Sequence, residues 1–109
     1  MKIAVPFEDG QVFQHFGHTE QFKVYTIENG VITHSEIVST NGQGHGALAG
    51  VLKELGADAL ICGGIGAGAR NALAQAGIDL YPGVTGNADL CAAALANGTL
   101  RYDPNTECH

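Results

Sequence analysis

Phe22-Lys23-Val24-Tyr25-Thr26-Ile27-Glu28-Asn29-Gly30-Val31-Ile32-Thr33-His34-Ser35-Glu36-Ile37-Val38 is the stretch whose reading decides the fold. Two segments rich in β-branched and aromatic residues are parted by Asn29-Gly30 alone. Asn-Gly supplies the two positive φ angles of a type I′ turn, so the spacing predicts an antiparallel hairpin, Phe22 to Glu28 against Val31 to Val38. Upstream, Lys2 to Pro6 is an apolar run stopped by Pro6 and the Glu8-Asp9-Gly10 turn, and it reads as a first strand.

Downstream of the hairpin the period changes. Leu48, Val51, Leu52 and Leu55 recur at helical spacing and Gly56 is placed to end the segment, which predicts a helix over about residues 46 to 56. Ala59 to Cys62 reads as a short buried strand, Gly63-Gly64-Ile65-Gly66 as a turn, and Ala67 to Ala76 as a second helix ended by Gly77. Ile78 to Tyr81 is a further strand, and about Ala88 to Asn97 a third helix closed by Gly98. Three strands, then helix, strand, helix, strand, helix is an α/β order. It predicts a five-stranded mixed sheet, antiparallel through its first three strands and continued by right-handed βαβ crossovers, with three helices packed on it. The 109 residues suit a single domain, 1–109, in which about 99–109 form an irregular tail.

The formal charge of −6 leaves only five Lys and Arg, scattered along the chain, to neutralise phosphates, so nucleic acid is not an expected partner. No apolar run approaches the roughly 20 residues that span a bilayer, and the N-terminus lacks a signal-peptide core, so no membrane is expected and a cytoplasmic location is. Cys62, Cys91 and Cys108 are odd in number and widely spaced, which does not make a disulfide framework and leaves thiols free for metals.

Alternating element directions make a geometric prediction. If the first strand runs upward, three loops meet at the top edge: His15-Phe16-Gly17-His18, Asn41 to Gly46, and the turn after Cys62. The N-termini of all three helices meet there too. Their unpaired N–H groups and partial positive charge favour an anion. Gly44, Gly63, Gly64 and Gly66, with the other glycines of these loops, would let a bulky ligand approach the backbone. His15, His18 and His45, with Cys62 after them and the tail pair Cys108-His109 last, are the candidate metal ligands; mixed N/S ligation suits zinc or iron in clusters. His34 lies within the hairpin, away from this edge, and Cys91 falls on a core-facing helical stripe. Gly64-Ile65-Gly66-Ala67-Gly68-Ala69 fits the dinucleotide fingerprint in form, but it stands late in the chain, and no acidic residue ends the following strand.

The residues so assembled resemble the dinitrogenase iron–molybdenum cofactor biosynthesis family, which includes NifX and the carboxy-terminal domain of NifB. The marks are Lys2-Ile3-Ala4-Val5-Pro6, His15-Phe16-Gly17-His18, the His45 loop, Cys62-Gly63-Gly64-Ile65-Gly66, and Ala76-Gly77-Ile78 through Gly83. The resemblance implies a ribonuclease-H-like motif without nuclease activity. It also implies a non-catalytic accessory role, binding or carrying an iron–sulfur or molybdenum–iron–sulfur cluster or its precursor. Cluster-assembly or acceptor proteins would then be partners, with the chain a monomer or homodimer. One departure is the ending Glu107-Cys108-His109, with a single histidine where relatives look as if they carry several. Two rivals use the same edge. Three histidines around one zinc would leave an open position for water in a small enzyme, although Glu8, Asp9 and Glu20 are near the histidines in sequence only. The other rival is a metal-free interaction domain with a glycine-lined groove.

Overall fold

The structure is a computed structural model; it describes residues 1–42 and 45–106, and of residues 45 and 46 the backbone only. In chain order the elements are β1 (Lys2–Glu8), β2 (Gln11–Val12), a 3₁₀ turn (Phe16–His18), β3 (Gln21–Glu28), β4 (Val31–Ser39), α1 (His45–Glu54), β5 (Ala59–Ile61), α2 (Ala67–Gln75), β6 (Asp79–Tyr81) and α3 (Ala88–Ala96). The Asn29-Gly30 turn forms as read: φ is 53° at Asn29 and 76° at Gly30, and β3 pairs antiparallel with β4 from Glu28↔Val31 to Gln21↔Ser39. A bulge at Thr26/Ile27 shifts the register within the hairpin.

The sheet runs β4-β3-β1-β5-β6, with β1 antiparallel to β3 and parallel to β5, and β5 parallel to β6. The five strands expected form this path, and a sixth, β2, pairs with the end of β1. Pro6 therefore does not stop the first strand. It pairs across from Phe22, and the chain continues to Glu8 before turning at Asp9-Gly10, where φ is 51° and 80°. That is a second two-residue turn with positive φ at both positions, so it returns the chain on itself as Asn29-Gly30 does.

Side chains alternate across β1 and thereby build two cores. Ala4 faces a cluster with Phe22, Leu48, Leu52, Leu60 and Leu73, so α1 and α2 cover that side. Ile3 and Val5 face the opposite way, toward Tyr25, Ile61, Ala88 and Ala92 under α3. The helices end where expected, at Gly56, Gly77 and Gly98, with φ of 75°, 75° and 80°. The Asn87 side chain caps α3 by accepting from the Leu90 N–H at 3.0 Å. Along the rim, β4 leaves Val31 and Ile37 exposed. No helix among the described residues is long and apolar enough to cross a membrane.

Candidate functional site

Strand directions bring the ends of β1, β4, β5 and β6 and the start of β3 to one edge of the sheet. The histidine turn is built into that edge from beneath. Phe16 is buried, with its ring tilted against Phe22 at 6.2 Å. Its N–H donates to the Gly64 carbonyl at 3.2 Å, and the Gly64 N–H donates to the Gln14 carbonyl at 2.8 Å, so the loops after β2 and β5 lie side by side. Thr19 and Thr40, both buried, fasten the other end: Thr19 Oγ1 donates to the Phe16 carbonyl at 2.6 Å, and Thr40 Oγ1 to the Thr19 carbonyl at 2.9 Å.

On this frame His15 and His18 are exposed, one turn apart, with the His18 N–H donating to the His15 carbonyl at 2.9 Å. They line two different clefts. His18 lines a cleft of about 330 Å³ with Phe7, Glu8, Asp9, Phe13 and Glu20. His15 lines a neighbouring cleft of about 300 Å³, where its ring meets Phe13 edge-on at 6.0 Å. Glu8, Asp9 and Glu20, read as neighbours of the histidines in sequence only, are thus their neighbours in space. The reason is register: Pro6 opposite Phe22 carries the end of β1 past the start of β3. His45 is the first residue of α1, which starts at the same edge and packs beside the histidine turn. Gly44, Cys108 and His109 lie outside the described residues. Among the described residues no group of three or more His, Cys, Asp or Glu side chains could hold a metal ion.

The glycines divide into two kinds. At Gly63 an added Cβ would lie 2.5 Å from Oε1 of Gln14, whose Nε2 donates to the Val12 and Val84 carbonyls at 2.9 and 3.0 Å. The space that sequence reading gave to a ligand at Gly63 is filled by the chain itself. Gly64 has both backbone groups engaged, as described above. Gly66 alone of the three is exposed with nothing near its missing side chain, and it precedes α2 without a side-chain cap. The first-turn N–H groups of α2 therefore face outward along Gly66-Ala67-Gly68.

Cys62 reaches the edge in backbone but not in side chain. It is fully buried in the core under α1 and α2, and burial pushes its thiol up to about 12, against a smaller opposing pull from Arg70. The thiolate that ligates metals is disfavoured there. Cys91, on α3, packs partly buried against the core that this helix covers, and His34 is exposed in mid-β4. Asp58 and Asp79 lie at the opposite edge, where the Asp58 carboxylate accepts from the Lys2 N–H at 2.8 Å.

Two features went unseen in the sequence. Asp89, in the first turn of α3, accepts from Lys23 Nζ at 2.7 Å and from the buried Tyr25 hydroxyl at 2.6 Å. The hydrogen bonds from Lys23 and Tyr25 hold its carboxyl below the usual range. Arg70, in the first turn of α2, donates to the Pro104 carbonyl at 3.0 Å and to the Thr106 carbonyl. Neither pairing has a sequence signal, because each joins residues more than thirty positions apart.

The description "dinitrogenase iron-molybdenum cofactor" belongs to the family whose model matches residues 1–98. The chain belongs to that family. It is 34% identical over 105 residues to the uncharacterized protein MJ0580 of Methanocaldococcus jannaschii, covering 92% of this chain and 89% of that one. Among solved structures, PH0822 superposes with a TM-score of 0.89 at 30% identity, over 96% of each chain. The apo form of the orange protein from Desulfovibrio gigas gives 0.81 at 28% identity, over 94% of this chain and 92% of that one. The match to the iron–molybdenum cofactor family thus takes in the histidine turn, the start of α1 and the loop after β5, and stops short of the tail.

Proposed function

We propose that this protein serves iron–molybdenum cofactor biosynthesis as a non-catalytic cytoplasmic holder or carrier of a metal–sulfur cluster or its precursor. The cluster is cargo. It docks across the edge where His15, His18 and His45 stand on one side and the uncapped start of α2 on the other, and it passes to or from assembly or acceptor proteins. The observation that carries this reading is the backbone pairing of His15 with Gly64, which sets the histidine loop alongside the loop that leads into the uncapped start of α2, in a member of this family. The strand order β4-β3-β1-β5-β6 supports describing the architecture as a ribonuclease-H-like motif.

The edge is electrically divided. Glu8, Asp9 and Glu20 make the His18 side negative, whereas the α2 side carries the helix-terminal N–H groups and Arg70. An anionic cluster sits better toward α2, with the histidines reaching it from the border. Cys62 is left to packing. Anaerobic reconstitution with iron, molybdenum and sulfide, followed by metal and sulfide analysis, tests the proposal. Retained cluster that His45→Ala reduces is the expected result; no retained cluster, with no effect of His45→Ala, rejects it.

One observation favours a second reading, a small zinc-dependent enzyme: three carboxylates share the His18 cleft and would serve as acid/base groups. A single tightly held zinc without sulfide would decide for it.

A further inference from the structure

The two outer strands of the sheet are finished differently. β6 is covered: Tyr102 meets Tyr81 edge-on at 4.9 Å and the Asp103 N–H donates to the Pro82 carbonyl at 2.8 Å, so the chain after α3 runs along that rim. β4 has no strand on its outer side among the described residues. Its nine residues, Val31 to Ser39, include neither Lys nor Pro, the residues that most often keep an edge from pairing. Val31 and Ile37 are 60% and 51% exposed there.

The hairpin fixes which backbone groups are free. The Thr40 N–H donates to the Glu20 carbonyl at 2.9 Å, so by alternation Val38, Glu36 and His34 bond to β3, while Ser39, Ile37 and Ser35 turn their N–H and C=O groups outward. The bulge leaves Thr33 without a partner on β3, and the strand is regular from His34 to Ser39.

Two copies of one edge strand related by a two-fold axis must run antiparallel, which leaves only the register to be chosen. Centring the pair on Ser35 overlaps all nine residues, because Val31 then faces the partner's Ser39. The same register sets His34 opposite the partner's Glu36 and Glu36 opposite the partner's His34. Both pairs fall at non-hydrogen-bonded positions, where side chains come closest, and an imidazole N–H can donate to the carboxylate. Centring on Glu36 would bring two carboxylates face to face. Centring on Ile37 would shorten the overlap to the five residues from Ser35 to Ser39 and set Glu36 against the partner's Val38.

We propose that β4 docks a second copy of this chain: two β4 strands pair antiparallel about Ser35, fastened by two reciprocal His34–Glu36 contacts. A single pair of strands makes a small interface, so the dimer is a transient one. β4 ends at the histidine edge, so antiparallel pairing sends the two histidine edges to opposite ends of one continuous sheet. Each chain keeps its own edge, and no cargo is shared between the two.

Sedimentation velocity of the full chain over a concentration series tests the pairing. The wild-type chain should show a monomer–dimer equilibrium. An edge strand tolerates Pro where its N–H points to solvent, so Ser35→Pro should keep the fold and stay monomeric throughout. Glu36→Lys and His34→Glu should each weaken self-association about tenfold. An equimolar mixture of these two variants should dimerise again, because each then meets a complementary group at both positions, and misfolding is not rescued by mixing. A wild-type chain that stays monomeric, a dimer that survives Ser35→Pro, or charge variants that associate like the wild type or are not rescued by mixing, overturns the proposal. Cluster retention plays no part in these readouts, so their failure and that of the carrier reading are told apart.

Discussion

Gln14 lies against Gly63 so closely that a Cβ at position 63 would stand 2.5 Å from its Oε1 and 2.9 Å from its Cα. The second contact is to backbone, so a new side chain cannot be accommodated by rotating Gln14 alone. Its amide bridges the Val12 and Val84 carbonyls, so Gln14 ties the loop after β2 to the loop after β6, across the loop after β5. Gly63→Ala should cost about 1–3 kcal/mol by overpacking. Urea denaturation would show it as a lower midpoint with little change in slope.

Gly66 should respond the opposite way. Its position is open and its φ of −84° suits any residue. Gly66→Asp supplies the missing cap for α2 and should stabilise the protein by a few tenths of a kcal/mol or about 0.5. The same carboxylate occupies the N–H groups assigned to the cargo and repels an anion. Higher thermal stability with weaker cluster retention is the expected pair of outcomes, and unchanged retention would place the cargo elsewhere.

The Asp89 carboxyl is held below its ordinary range by hydrogen bonds from Lys23 and Tyr25. A group whose pKa is lower folded than unfolded stabilises the fold above the unfolded value, about pH 4, and that contribution disappears as pH falls through the folded value. The carboxylate side chain is 60% exposed, so solvent screens the effect and it should be modest. Stability measured by urea from pH 7 down to pH 3 should fall less steeply in Asp89→Asn than in the parent chain.

Phe16 anchors the histidine turn in the core. Phe16→Ala should cost about 3–5 kcal/mol and free the loop carrying His15 and His18. Cys62 offers a check on the same core: its raised pKa and burial predict that it resists alkylation in the native protein. Native-state alkylation followed by mass analysis should find Cys62 unmodified until the chain is unfolded.

Local chemistry made much of the fold legible. Asn29-Gly30 determines its turn by backbone preference, and the glycines at 56, 77 and 98 mark helix ends because few other residues adopt positive φ there. The antiparallel start and the βαβ continuation then place the loops by direction alone. β2 was illegible because two residues carry no period, and Pro6 was misread because its partner across the sheet is Phe22, a matter of register. The edge itself was legible; what fills it was not. Gln14 over Gly63, the carboxylates beside His18 and Arg70 on the tail are long-range packing, invisible to spacing. Cys62 ends an apolar strand either way, and only the fold shows that its side chain turns into the core.

The most direct test compares iron and sulfide retained through gel filtration, after anaerobic reconstitution, by the wild-type chain and by a His15→Ala, His18→Ala, His45→Ala triple variant of matched fold. The carrier account predicts co-eluting iron and sulfide in the wild type and their loss in the variant. Equal retention by both, or none by the wild type, would contradict it.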